Sequence, residues 1–147
     1  MKWFNFYGLI FLAIIMIPNI IFAATHKEVF SNAYSNKVVE IFEQIGRIGC
    51  FVFMFINIPP LVFGFSFNGA FTAYLICGGL LTLLYVIGWI IFRKHSSVAK
   101  SLYLSIVPSA LFICCGVFAL NIPLIAAGVI FAPCHIFISY KNAKATA

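Results

Sequence analysis

Two carboxylates, Glu40 and Glu43, stand just ahead of Arg47 in the sequence, and one histidine, His135, lies inside a long apolar run near the C-terminus. Glu43 and Arg47 are four residues apart, so on a helix they share one face in the favourable order, acid before base. His135 precedes Lys141 by about 9 Å of helix. Should packing bring His135 to Glu43, the set would hold a carboxylate, an imidazole and a guanidinium. Such a set can move a proton and grip a phosphate. In lipid each charge costs about 2.5–3.5 kcal/mol on insertion scales, so the groups would face the bundle and find partners. The alternative, which we take as the expectation, starts the helix at Ile45 and leaves the charges among headgroups with a surface Glu43–Arg47 pair.

Two asparagines, Asn57 and Asn121, each precede Ile-Pro. An amide there can bond carbonyls that proline leaves without a donor, which is structural. A coordinating role would require both to face a cavity. The five cysteines, Cys50, Cys77, Cys114, Cys115 and Cys134, lie in apolar stretches with no CxxC spacing. Zinc and redox motifs therefore lack support, and packing thiols are the expectation. Cys134 and His135 are consecutive and point about 100° apart on a helix, a poor start for a metal site. No metal and no cofactor is expected.

Something must position these groups, and composition says what. Of the residues, 64% are hydrophobic and only 8% charged, with a mean hydropathy of +1.12. Soluble domains hold roughly 45–50% apolar and about 25% charged residues. Nine basic and three acidic side chains cannot coat a 16.3 kDa globule with charge. The bilayer suits this balance. The net charge of +6 sits at the ends of apolar runs rather than on a basic face, which argues against nucleic acid and for lipid headgroups.

The apolar runs predict an all-α polytopic bundle of one domain with spans at about 3–24, 45–65, 69–92, 101–120 and 122–140. The segment 25–44 is polar and holds all three acids; Asn36 is placed to cap a helix that runs on into the second span. Pro59-Pro60 must kink or end that helix. The run 101–140 is about 60 Å of helix, twice the hydrocarbon thickness, so it folds back at Asn121-Ile-Pro123. The first run exceeds the roughly 7–15 apolar residues of a secretory signal and is read as a retained span.

With five spans and the N-terminus outside, Lys27, Lys37, Arg47, Arg93, Lys94, Lys100, Lys141 and Lys144 face the cytoplasm, and only Lys2 lies outside. That asymmetry places the C-terminus in the cytoplasm. Small residues at Gly46, Gly49, Cys50, Ala73, Cys77, Gly128 and Ala132 offer close-approach surfaces between helices.

A run from Cys50 to Pro59 echoes one from Cys115 to Pro123, a weak hint of internal repetition. The segments Glu43-Gln-Ile-Gly-Arg47-Ile-Gly-Cys50, Asn57-Ile-Pro59 and Ala132-Pro133-Cys134-His135-Ile-Phe-Ile-Ser139-Tyr140-Lys141-Asn142 resemble small multi-spanning membrane proteins of low-GC Gram-positive bacteria. The resemblance covers most of the chain and implies a bacterial plasma membrane, but no activity. With no catalytic motif in view, the expected function is a non-enzymatic membrane component, an accessory subunit or small transporter. It would work with membrane lipids and with a second copy or a partner membrane protein. A lipid-acting enzyme using His135, Glu43 and Arg47 is the alternative, and a metal or redox protein using the cysteines is the next.

Overall fold

The computed structural model describes residues 3–25, 35–92 and 97–146. Five helices follow one another: α1 (Phe6–Thr25), α2 (Lys37–Phe55), α3 (Ala70–Ile91), α4 (Val98–Phe118) and α5 (Ile122–Thr146), with a short 3-10 turn at Pro59–Leu61 between α2 and α3. No strand forms among the described residues, and the fold is an all-α bundle. Four helices, α1, α3, α4 and α5, are long and apolar enough to cross a membrane. The charges of α2, at Lys37, Glu40, Glu43 and Arg47, set it apart. Lys2, Lys27, Arg93 and Lys94, which enter the charge asymmetry, and the acid Glu28 lie outside the described residues.

The helices close into a ring. α5 packs on α2 and α4, α4 on α3, α3 on α1, and α1 back on α2. One end of the ring bears Lys37, Lys100, Lys141 and Lys144, and is called the basic end below. The other bears Asn5, Asn57 and Asn121. Lipid is as apolar as leucine and offers no hydrophobic reward for helix association, so small side chains and polar contacts do the joining. A Cβ on Gly8 would overlap the Met54 carbonyl of α2, and one on Gly78 would strike the Phe11 ring of α1.

The helix in the expected second span is displaced from 45–65. It begins at Lys37, where the Asn36 side chain accepts from Val38 N at 3.1 Å, and it ends at Phe55. The C-cap Ile56 is extended, and the chain stays non-helical into Pro59-Pro60. Each proline lacks a donor and pushes the residue before it out of helical geometry, so the helix closes ahead of them. The charges expected among headgroups therefore lie well inside α2. Its apolar face, Val38, Ile41, Phe42, Ile45 and Ile48, points outward, while Glu43, Gly46, Cys50 and Met54 point in.

At the other turn α4 ends in a Schellman motif: Asn121 N donates to Gly116 O at 2.9 Å and Leu120 N to Val117 O at 3.2 Å. Leu120 occupies the left-handed position, with φ 44°, where glycine usually stands. α5 runs beyond the expected Tyr140, because Lys141 to Ala145 are residues that sustain a helix. The expected echo holds only in part. Cys50 and Cys115 are both core residues, but α5 follows directly on Asn121, whereas a turn and a loop follow Asn57.

Candidate functional site

α2 and α5 run antiparallel and touch through small residues. A Cβ on Gly49 would stand 2.8 Å from Ala127 Cβ, and one on Gly46 2.7 Å from Phe131 N. Each step of one turn down α2 matches one turn up α5. The next step places Glu43 opposite His135, which is how residues far apart in sequence meet. Pro133 lies within α5 just before His135, and the His135 ring stacks on Phe131 with centroids 4.5 Å apart and planes at 20°.

Glu43 is 3% exposed. Its Oε1 accepts from Arg47 Nε at 3.1 Å and also from Arg47 Nη2, and lies 2.9 Å from His135 Nδ1. An ionised carboxylate can only accept, so His135 must carry hydrogen on Nδ1 there. The side chains of Arg47 and His135 keep 38% and 25% of their surface, so the cluster is buried at the acid and reachable at the bases. Two cavities flank it. A chamber of about 590 Å³ lies inside the ring and is walled by all five helices. A groove of about 600 Å³ runs outside, along α2 and α5. Arg47, His135, Ser139 and Asn142 border both and form the partition.

The chamber graded from apolar to polar is the second feature. Ile15, Met16, Phe51 and Phe112 make its deep part, and Lys100, Arg47, Ser101 and Asn142 its rim. Asn19 and Tyr85 brace the wall: Tyr85 Oη donates to Asn19 Oδ1 at 2.7 Å, and Asn19 Nδ2 donates to Ile15 O at 3.1 Å. Lys100 Nζ lies 5.5 Å from the Trp89 ring centre and 5.9 Å from that of Phe22, held by π faces. Among the described residues it makes no ion pair with a carboxylate. Trp89 Nε1 is buried with no partner of hydrogen-bond geometry, although the Tyr85 hydroxyl is nearby. Among the described residues Glu43 thus pairs with Arg47 and His135 and leaves Lys100 without a carboxylate, and the balance suits an anion.

The expected inner set, Glu40, Glu43, Arg47 and His135, lines one groove, and Glu43, Arg47 and His135 are in direct contact. Glu40 is half-buried on the outer groove and makes no ion pair among the described residues. Asn57 and Asn121 are buried at 7% and 2%. Asn121 Nδ2 donates to Phe53 O at 2.9 Å and its Oδ1 accepts from Leu124 N at 3.1 Å, so it ties the end of α2 to the start of α5. Asn57 N donates to Trp3 O at 2.9 Å. Neither lines the chamber or the groove. All five cysteines are free thiols, and Cys77 and Cys114 come within interaction range across α3 and α4. No group of three or more His, Cys, Asp or Glu that could hold a metal ion forms among the described residues.

Sequence reasoning missed Lys100, Trp89, Tyr85 and Asn19. A lysine shortly into an apolar run and an asparagine beside Pro18 were the available signals. The fold and site define a class, an all-α membrane-type bundle with a chamber at one end that is apolar in its depth and carries Arg47 and Lys100 at its rim. Comparison with protein families, with curated proteins and with solved structures finds no match.

Proposed function

We propose that this protein is a non-enzymatic integral membrane component, an accessory subunit or small transporter, whose working part is the chamber at the basic end. The observation that carries the reading is the chamber itself. All five helices wall it, and the buried carboxylate of Glu43 fixes Arg47 and His135 on one side. Burying Glu43 in a bundle is costly unless its partners are worth keeping, and intramembrane ionisable groups mark ligand or ion paths. The excess of lysine and arginine at this end supports a cytoplasmic placement, with the N-terminus outside and the C-terminus inside a bacterial plasma membrane. Five short helices bury little against one another, which favours a second copy or a partner membrane protein among the surrounding lipids.

A second reading, a lipid-acting enzyme, draws on the 2.9 Å approach of Glu43 Oε1 to His135 Nδ1, the arrangement of a carboxylate-oriented imidazole. Against it, Arg47 engages the same oxygen as His135, so the carboxylate is committed to an ion pair and does not serve the imidazole alone.

Native mass spectrometry of protein purified in mild detergent tests the reading. The expected spectrum shows a retained small molecule or partner chain whose occupancy falls in a Lys100→Gln variant. A bare chain, identical in both proteins, overturns it.

A further inference from the structure

Resting on the chamber reading above, we infer that the chamber holds the headgroup of an anionic phospholipid from the adjoining leaflet. The phosphate sits between Arg47 and Lys100, and an acyl chain lies along the apolar depth. Three observations converge on this ligand.

The first is charge. Glu43 is the only carboxylate in the cluster and binds Arg47 and His135, while Lys100 meets no carboxylate among the described residues. Aromatic faces orient the lysine without neutralising it. A phosphate supplies the missing negative charge, and a guanidinium and an ammonium are the side chains that bind phosphate.

The second is the placement of the lysine. Lys100 Nζ lies 5.5 Å from the Trp89 ring centre and 5.9 Å from that of Phe22, and all three residues line the chamber, so the ammonium is held at the chamber wall.

The third is the gradient of polarity. A free inorganic anion has no use for a depth made of Ile15, Met16, Phe51 and Phe112. An amphiphile uses both ends, and about 590 Å³ falls within the range of roughly 300–1,000 Å³ typical of ligand pockets. A route exists as well. The outer groove lies beside Ile41, Ile45 and Ile48, which are 57–60% exposed, and shares its Arg47–His135 wall with the chamber. A headgroup reaching the groove from lipid meets the same guanidinium that lines the interior.

The test embeds the protein in nanodiscs of equal phosphatidylglycerol and phosphatidylcholine and counts lipids retained on release into the gas phase. The wild type is expected to enrich phosphatidylglycerol about tenfold, the ratio that one charge-assisted contact supports. Lys100→Gln should bring the ratio to that of the bilayer, and Arg47→Lys, which keeps the charge but loses the fork, should lower it in part. Thermal unfolding of each lipid-free variant in detergent reports whether it has folded. Enrichment unchanged in a folded Lys100→Gln protein overturns the proposal, because the lipid is then merely annular. So does equal thermal stabilisation of the wild type by inorganic phosphate and by phosphatidylglycerol, which identifies a free-anion site. A retained molecule other than a phospholipid, released by Lys100→Gln, overturns the lipid and leaves the chamber reading standing.

Discussion

Replacing Arg47 by alanine leaves Glu43, with 4% of its side chain exposed, held by His135 alone. Breaking a buried ion pair from one side costs about 3–5 kcal/mol. The remaining charge-assisted bond from His135, worth about 1.5–3 kcal/mol, offsets part of that, so about 2–3 kcal/mol is the expected loss. Glu43→Ala acts from the other side and leaves Arg47 and His135, whose side chains keep 38% and 25% of their surface. Orphaned bases that reach water sit nearer the exposed limit of about 0–1 kcal/mol each, and about 1–2 kcal/mol is expected. The double variant has no stranded acid and should cost no more than Glu43→Ala alone, a non-additivity of about 2 kcal/mol. At about 2–4 °C per kcal/mol, Arg47→Ala should lower the apparent Tm in mild detergent by about 5–10 °C. Glu43→Ala should lower it by about 2–8 °C on the same scale. The readout is the fraction surviving as a monodisperse peak in size-exclusion chromatography after heating. Shifts under about 1 kcal/mol for both single variants, or a double variant equal to their sum, would refute a buried acid at the centre of the cluster.

Gly46→Ala should drive α2 from α5, since its Cβ would stand 2.7 Å from Phe131 N. A loss of about 1–3 kcal/mol is expected, whereas Gly79→Ala, with nothing within 4 Å, should be neutral or stabilising in the same thermal assay. Leu120→Gly should relieve the left-handed position at φ 44°. It should raise the apparent Tm by about 2–4 °C, the equivalent of about 1 kcal/mol; no gain would mean that Leu120 packing outweighs the strain.

Much of the architecture was legible because lipid demands long apolar helices. The runs at 69–92 and 101–120 match α3 and α4 closely, and Asn36 caps α2 as its position implied. What differed was the second span, expected at 45–65 with its charges among headgroups. Val38, Ile41, Phe42 and Ile45 lie on a helix that ends already at Phe55, and they face outward. In a bilayer the outward face is the apolar one, and glycine, cysteine and a paired acid turn inward. That arrangement is what buries Glu43. The meeting of Glu43 with His135 was visible only as a shared depth. Its cause, Gly46 and Gly49 admitting Phe131 and Ala127, depends on which two helices are neighbours in the ring, and no local spacing encodes that. Lys100 was read only for topology, because one lysine at a helix start commonly serves to mark a membrane boundary.

The central claim is a chamber inside the helix ring, open at the basic end, which we propose faces the cytoplasm. Ser101 lines its rim, and the five native cysteines lie within helices, so a Ser101→Cys variant can be compared directly with the wild type. A charged, membrane-impermeant maleimide applied to sealed inside-out vesicles should label the variant well above the wild type. The same reagent on right-side-out vesicles should label neither. Protection in both preparations, or labelling only from the outside, would contradict the account.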